Sequence, residues 1–335
     1  MRAAVLTRPG GDLEIEELEL PPLPAGEVLV DVSACGICGT DLHVSRSVAA
    51  PGAILGHEIA GQVAEVGGDV TGWAVGTPVA VRPFAGCGTC DWCVPGRADH
   101  CQQFQLLGLA RPGGFAEQVA VPATQLFRLP ATLSGPEQAL VEPAAVALHA
   151  LRRVNLQAGQ DVLVLGGGPV GLTVCAWARA LGARRVIVSD PVAPRRELAL
   201  ALGADGVIDP STGSPEEALA NLANGAPQVV MECTGVPGVI GQGLALAGVG
   251  ARIGVVGICL GSDSIWPYAG IQKELDLRFC IYYDSIDFTD TITALDEQTL
   301  KVESLITETV RLDALPQRFA ELVEDPDSGK VVISA

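Results

Sequence analysis

The run Val162-Leu163-Val164-Leu165-Gly166-Gly167-Gly168-Pro169-Val170-Gly171 constrains this chain more than any other segment. It reads as a hydrophobic strand passing directly into a G-x-G-x-x-G turn and then into a helical segment, Leu172 to Leu181. Gly166 permits the tight turn, Gly168 lets a ligand approach the backbone, and Gly171 allows the helix to pack closely on the strand. Pro169 and Val170 open that helix, whose N-terminus offers free N–H groups and a partial positive charge to a phosphate.

The surrounding pattern agrees with this turn. Strands are predicted at 161–165, 185–189, 206–208, 228–232, 251–256 and 277–281. Between them lie helical segments at Leu172–Leu181, Arg195–Leu202, Pro215–Ala223 and Gly238–Ala247. Alternation of this kind predicts a doubly wound parallel sheet, a Rossmann fold. Before residue 145 the rhythm differs. Short β-like runs such as Val28 to Val32, Ile59 to Val66, Val79 to Val81 and Gln118 to Val121 are separated by Gly and Pro clusters, which predicts an antiparallel barrel-like domain. The fold class expected is therefore α/β, with domains at 1–147 and 148–285. A segment at 286–335 is expected to return to the first domain through a last strand, Lys330 to Ser334.

Composition narrows the function. A formal charge of −18, without a basic cluster, argues against nucleic acid and anionic membranes as partners. The N-terminus lacks the apolar core of a signal peptide, and the longest apolar stretches are broken by Gly and Pro, so a cytoplasmic protein with no membrane segment is expected. Ten cysteines in a reducing compartment point to metal rather than to disulfides. Cys87, Cys90, Cys93 and Cys101 stand as C-x2-C-x2-C-x7-C, a set that can close a tetrahedral cage and leave no position for substrate. Structural zinc is the expectation there. An iron–sulfur cluster would use the same ligands, and His100 is read as a surface histidine.

Asp190 follows the second strand nineteen positions beyond Gly171, where an acid can accept from both ribose hydroxyls of a dinucleotide and repel a 2′-phosphate. NAD is expected over NADP, although Arg195 or Arg196 could reach a phosphate.

Gly36-Ile37-Cys38-Gly39-Thr40-Asp41-Leu42-His43, Gly56-His57-Glu58, the four-cysteine lobe, Glu142-Pro143 and the glycine turn occur in one order. That order resembles the zinc-dependent medium-chain dehydrogenases along nearly the whole chain. The segments Gly113 to Glu117 and Val141 to Ala150 look most like the butanediol, sorbitol and threonine dehydrogenase branch. The resemblance implies a GroES-like barrel for the first domain and a catalytic zinc held by Cys38, His57 and Glu142, with Glu58 adjacent. It therefore implies two Zn2+ per chain. It also implies a proton relay through Thr40 and His43, for which Glu58 is the rival route, and an alcohol or ketone substrate. A homodimer or homotetramer is expected. Three ligands of mixed S, N and O type with one open position suit a catalytic zinc. Such a zinc acts as a Lewis acid that lowers the pKa of a bound alcohol, and hydride then passes to nicotinamide. Glutamate as third ligand leans towards vicinal diols and polyols, whereas the short segment between Cys38 and His57 departs from the butanediol and sorbitol pattern. The alternatives are a broad secondary-alcohol dehydrogenase or ketone reductase, and a zinc-stabilised binding protein without chemistry.

Overall fold

The computed structural model describes the chain apart from residues 9, 11, 95, 223–224, 325–328 and 335. A strongly apolar strand, Asp161–Leu165, lies at the centre of a six-stranded parallel sheet. The strands run, in spatial order, Gly206–Ile208, Arg185–Ser189, Asp161–Leu165, Val229–Glu232, Arg252–Val255 and Asp276–Phe279. The order reverses between Asp161–Leu165 and Val229–Glu232. A crevice opens at such a switch point, beyond the carboxyl ends of the strands, and ligands bind there. All six predicted strands and the four predicted helices appear with ends shifted by three residues or fewer, except that Ala223 lies outside the described residues.

The second sheet is antiparallel for most of its pairings. Glu27–Gly36 is its hub, pairing with Glu58–Val66, Gln118–Pro122 and Lys330–Ser334. Pro78–Val81 and Leu126–Arg128 continue from Glu58–Val66, and Ile306–Arg311 lies parallel to the last strand. Valines and isoleucines of alternate positions, such as Val28, Val30, Val32, Val63, Val79 and Val81, fill the interior of this barrel. The final strand, Lys330–Ser334, thus joins the sheet built on Glu27–Gly36.

The register of these strands sets the site. Gly36 stands opposite both Glu58 and Val332, so the end of one strand, the start of a second and the middle of a third meet at one point. The helix Val141–Arg153 runs continuously across the expected boundary at 147/148. Its apolar residues join one core with Ala60 and Ala80 of the barrel, with Phe84, and with Val162 and Val164 of the parallel sheet and Leu172 of the helix after it. The two domains therefore share a packed seam, with Glu142 at its edge, in the first turn of that helix.

Candidate active site and cofactor turn

Cys38 ends the hub strand's extension and caps the helix Gly39–Ser47. Its backbone N–H donates to Asp41 Oδ2 at 2.9 Å. The other Asp41 oxygen accepts from Gly56 N–H at 3.1 Å and lies 3.2 Å from His57 Nδ1. Asp41 is 2% exposed and thus fastens the two segments that carry Cys38 and His57, leaving Nε2 as the imidazole nitrogen for a ligand. Burial opposes the imidazolium, but the Asp41 carboxylate and the Cys38 sulfur outweigh it and raise His57 well above the ordinary range. A cation bound to His57 would compete with that proton.

Glu58, 1% exposed, begins the next strand. Its Oε1 accepts from Lys330 Nζ at 2.6 Å, and Lys330, equally buried, also donates to Ile37 O at 3.1 Å. Glu58 Oε2 has no hydrogen-bond partner among the described residues. A Cβ on Gly36 would lie 1.8 Å from it, so any side chain there would have to displace the Glu58 carboxylate. Ligand atoms of Cys38, His57 and Glu58 lie within 4.8 Å of one another. Two soft or borderline donors and an orphaned carboxylate oxygen at such range are the donor chemistry of a zinc site. Glu142 is not within that tight group. It lies beside it, buried, with its carboxyl pushed up to about 7 by burial and by Glu58, against the opposing pull of His57, Tyr283 and Lys330. Thr40 is half-buried and His43 exposed, three residues apart on the helix that Cys38 caps. Asp41 and Lys330 were missed in the sequence reading. Asp41 lay within a quoted motif, but nothing near Lys330 distinguished it from a surface lysine.

Cys87, Cys90, Cys93 and Cys101 also gather within 4.8 Å, and none is in a disulfide. Cys101 Sγ accepts from the backbone N–H of Cys87 and of Gln103, each at 3.3 Å. Backbone and side-chain donors of Thr89 pull Cys87 down to about 6, whereas burial and the neighbouring sulfurs push Cys93 up to about 12. Four crowded sulfurs resist ionising together unless a cation joins them, and this geometry fits a closed S4 zinc cage. His100 sits outside it, 2.5 Å from Asp99 and against the ring of Trp92.

At the parallel sheet, Gly166 has φ +100° and a Cβ on Gly171 would stand 1.9 Å from Gly166 O, which accounts for both glycines. A Cβ on Gly168 meets nothing within 4 Å, leaving its face open to a ligand. Pro169 and Val170 form the first turn of Pro169–Ala180. Asp190, 3% exposed, accepts from Gly167 N–H at 2.7 Å and Val192 N–H at 2.8 Å. Arg195 approaches it at 3.7 Å, while Arg196 bonds to Asp190 O and pairs with Asp209.

A two-domain chain with a dinucleotide turn, a three-donor metal group and a separate four-cysteine lobe has the architecture of a metal-dependent dehydrogenase. Residues 24–131 match the alcohol dehydrogenase GroES-like domain, and residues 169–297 match the zinc-binding dehydrogenase domain. The chain is 36% identical over 92% of its length to a 2-dehydro-3-deoxy-L-galactonate 5-dehydrogenase of Pseudoalteromonas atlantica, covering 92% of that protein. It belongs to the zinc-binding medium-chain dehydrogenase family, with butanediol, sorbitol and threonine dehydrogenases among its relatives. Two solved structures cover 100% of this chain and 99% of their own at 32% identity. One is the 2R,3R-butanediol dehydrogenase of Bacillus subtilis, with a TM-score of 0.90. The other is described as a zinc-binding dehydrogenase of Sinorhizobium meliloti 1021 bound to NADP, with a TM-score of 0.92. No helix among the described residues is long and apolar enough to cross a membrane.

Proposed function

We propose that this chain is an NAD-linked dehydrogenase of vicinal diols or polyols, holding a catalytic zinc through Cys38, His57 and Glu142 and a structural zinc through Cys87, Cys90, Cys93 and Cys101. The observation that carries the reading is the convergence of Cys38, His57 and the orphaned Glu58 oxygen, with Glu142 alongside, in a chain that also builds the dinucleotide turn. When bound, zinc supplies a Lewis acid for the substrate oxygen and the dinucleotide supplies the hydride acceptor. The remaining work falls to the protein. Asp41 holds His57 in one orientation, and Lys330 restrains Glu58 beside the ligands. Thr40 takes the substrate hydroxyl proton towards His43, whose exposure gives it an exit to solvent.

Diols are favoured because the names of two relatives describe substrates bearing a hydroxyl on the carbon next to the one oxidised. NAD is favoured because Asp190 places a buried carboxylate at the turn. Each of its oxygens already takes one backbone N–H and keeps a lone pair for a ribose hydroxyl, where a 2′-phosphate would meet a like charge. The NADP-bound relative makes this a choice for experiment. A homo-oligomer belongs to the same reading. The edge strand Asp276–Phe279 and the adjoining helix expose Trp266, Ile271, Phe279 and Ile281, an apolar patch of the kind that pairs copies of a chain.

Rates on 2,3-butanediol and 2-butanol, each with NAD and NADP, test the proposal alongside zinc analysis. Two zinc ions per chain, a ten- to roughly hundredfold advantage for the diol and a preference for NAD support it. Equal efficiency on both alcohols leaves the broader secondary-alcohol reading, and one zinc or none removes the metal-centred one.

A further inference from the structure

Tyr283 is among the largest fully buried side chains, 1% exposed, and its hydroxyl has no hydrogen-bond partner among the described residues. It belongs to the dinucleotide domain, just after the last strand of the parallel sheet, yet it faces the barrel. The backbone turns there through the left-handed conformation of Tyr282, φ +54°, and Asp284 then caps the helix Ser285–Asp296. The Tyr283 ring is locked between Phe288, stacked at 5.4 Å, and Phe84, tilted at 5.2 Å. Among its neighbours the Glu142 carboxylate acts on the phenol most strongly, with Arg82 and Glu58 also in electrostatic range. Behind it the Arg82 guanidinium lies over the rings of Phe84 and Phe127, donates to Ser285 Oγ at 2.6 Å and leaves its Nε unpartnered.

A phenol in an apolar slot with an unused hydroxyl is a poor way to fill space, since phenylalanine would fill it without burying a polar group. An unused hydroxyl in the electrostatic neighbourhood of a buried carboxylate calls for a second explanation. We propose that Tyr283 is a positioning residue for Glu142: its O–H donates to the Glu142 carboxylate and fixes the rotamer in which that carboxylate serves the metal, and Arg82 behind the phenol strengthens the donor. The proposal rests on the zinc reading above and deepens it. It makes a residue of one domain complete the ligand set of the other, so the packing of the two domains and the affinity for the metal are linked.

The test compares wild type, Tyr283→Phe, Glu142→Cys and the double variant, each loaded with zinc. Catalytic-site zinc is followed by its loss to a chelator and, after cobalt substitution, by the visible absorption bands of the site. Partners of this kind typically contribute ten- to a hundredfold in metal affinity, so Tyr283→Phe is expected to release the catalytic zinc about ten- to a hundredfold more readily and to shift the cobalt bands. It is expected to keep the four-cysteine zinc and the wild-type circular dichroism. With Glu142→Cys, whose thiolate does not need the phenol, adding Tyr283→Phe is expected to change zinc release less than twofold. Wild-type release from Tyr283→Phe overturns the proposal, as does an equal loss in both backgrounds, which would mark a general loosening of the core. Should Tyr283→Phe fail to fold, Arg82→Met replaces it, with a severalfold faster release expected and unchanged release overturning the idea. A wild-type chain that holds no second zinc overturns the zinc reading itself, a result distinct from all of these.

Discussion

Replacing Lys330 by methionine removes the cation paired with Glu58 while keeping a side chain of similar reach. Both partners are 1% exposed, 2.6 Å apart, and Lys330 also satisfies Ile37 O. Deleting one member of such a pair strands a buried charge and costs about 3–5 kcal/mol. For a chain of 335 residues the unfolding entropy is about 0.7 kcal/mol/K, so the loss corresponds to a fall in Tm of about 4–7 °C. The variant Glu58→Gln/Lys330→Met carries no stranded charge and is expected to recover more than half of that fall. Differential scanning fluorimetry on zinc-loaded protein measures both. In the same preparations, kcat/KM should drop further for Lys330→Met than for the double variant, because an unrestrained Glu58 swings towards the metal and competes with substrate. A Tm for Lys330→Met within about 1 °C of wild type, or equal losses in the single and double variants, would refute the claim that the ion pair is what holds Glu58 in place.

Other outcomes follow from the same geometry. Cys90→Ser opens the four-sulfur cage and should lower the zinc content by one ion per chain with a reduced Tm, measured by elemental analysis and fluorimetry. Asp190→Ala withdraws the acceptor for Gly167 and Val192 N–H and for the ribose, so the ratio of kcat/KM for NAD to that for NADP should fall by roughly a hundredfold, two charge-assisted bonds at about 1.5–3 kcal/mol each being the upper limit. Burial would raise the Asp287 carboxyl, but bonds from His149 and Arg152 lower it below the ordinary value of 3.8. A depressed carboxyl stabilises above its unfolded pKa and loses that contribution as pH falls through the folded one, so Tm should decline below about pH 4 in wild type with a shallower slope in Asp287→Asn. Lys330 has the opposite sign. Burial alone would lower it, but Glu58 raises it above the ordinary lysine range, so its contribution holds at neutral pH and disappears only in strong alkali.

The sequence by itself determined the parts of this protein whose physics is local. A glycine turn announces itself because φ +100° at Gly166 and the 1.9 Å approach at Gly171 exclude any side chain, and the strand before it is readable from composition alone. Cys87 to Cys101 were legible for a like reason: a short loop brings four thiols together whatever surrounds it. Cys38, His57 and Glu142 could be singled out as ligand candidates only through the order of motifs, since each residue alone is an ordinary one. What tertiary structure decided is which groups stand next to them. Lys330 meets Glu58 because two antiparallel registers converge on Gly36 across almost the whole length of the chain, and no local pattern encodes such a pairing. The tight donor group contains Glu58, with Glu142 alongside, because strand register places the first whereas the packing of a helix between domains places the second. The position of Tyr283 is likewise a tertiary outcome. Its placement depends on a left-handed turn at Tyr282, on Phe288 in the helix that follows and on Phe84 almost two hundred residues earlier in the chain, a contact that no local pattern encodes.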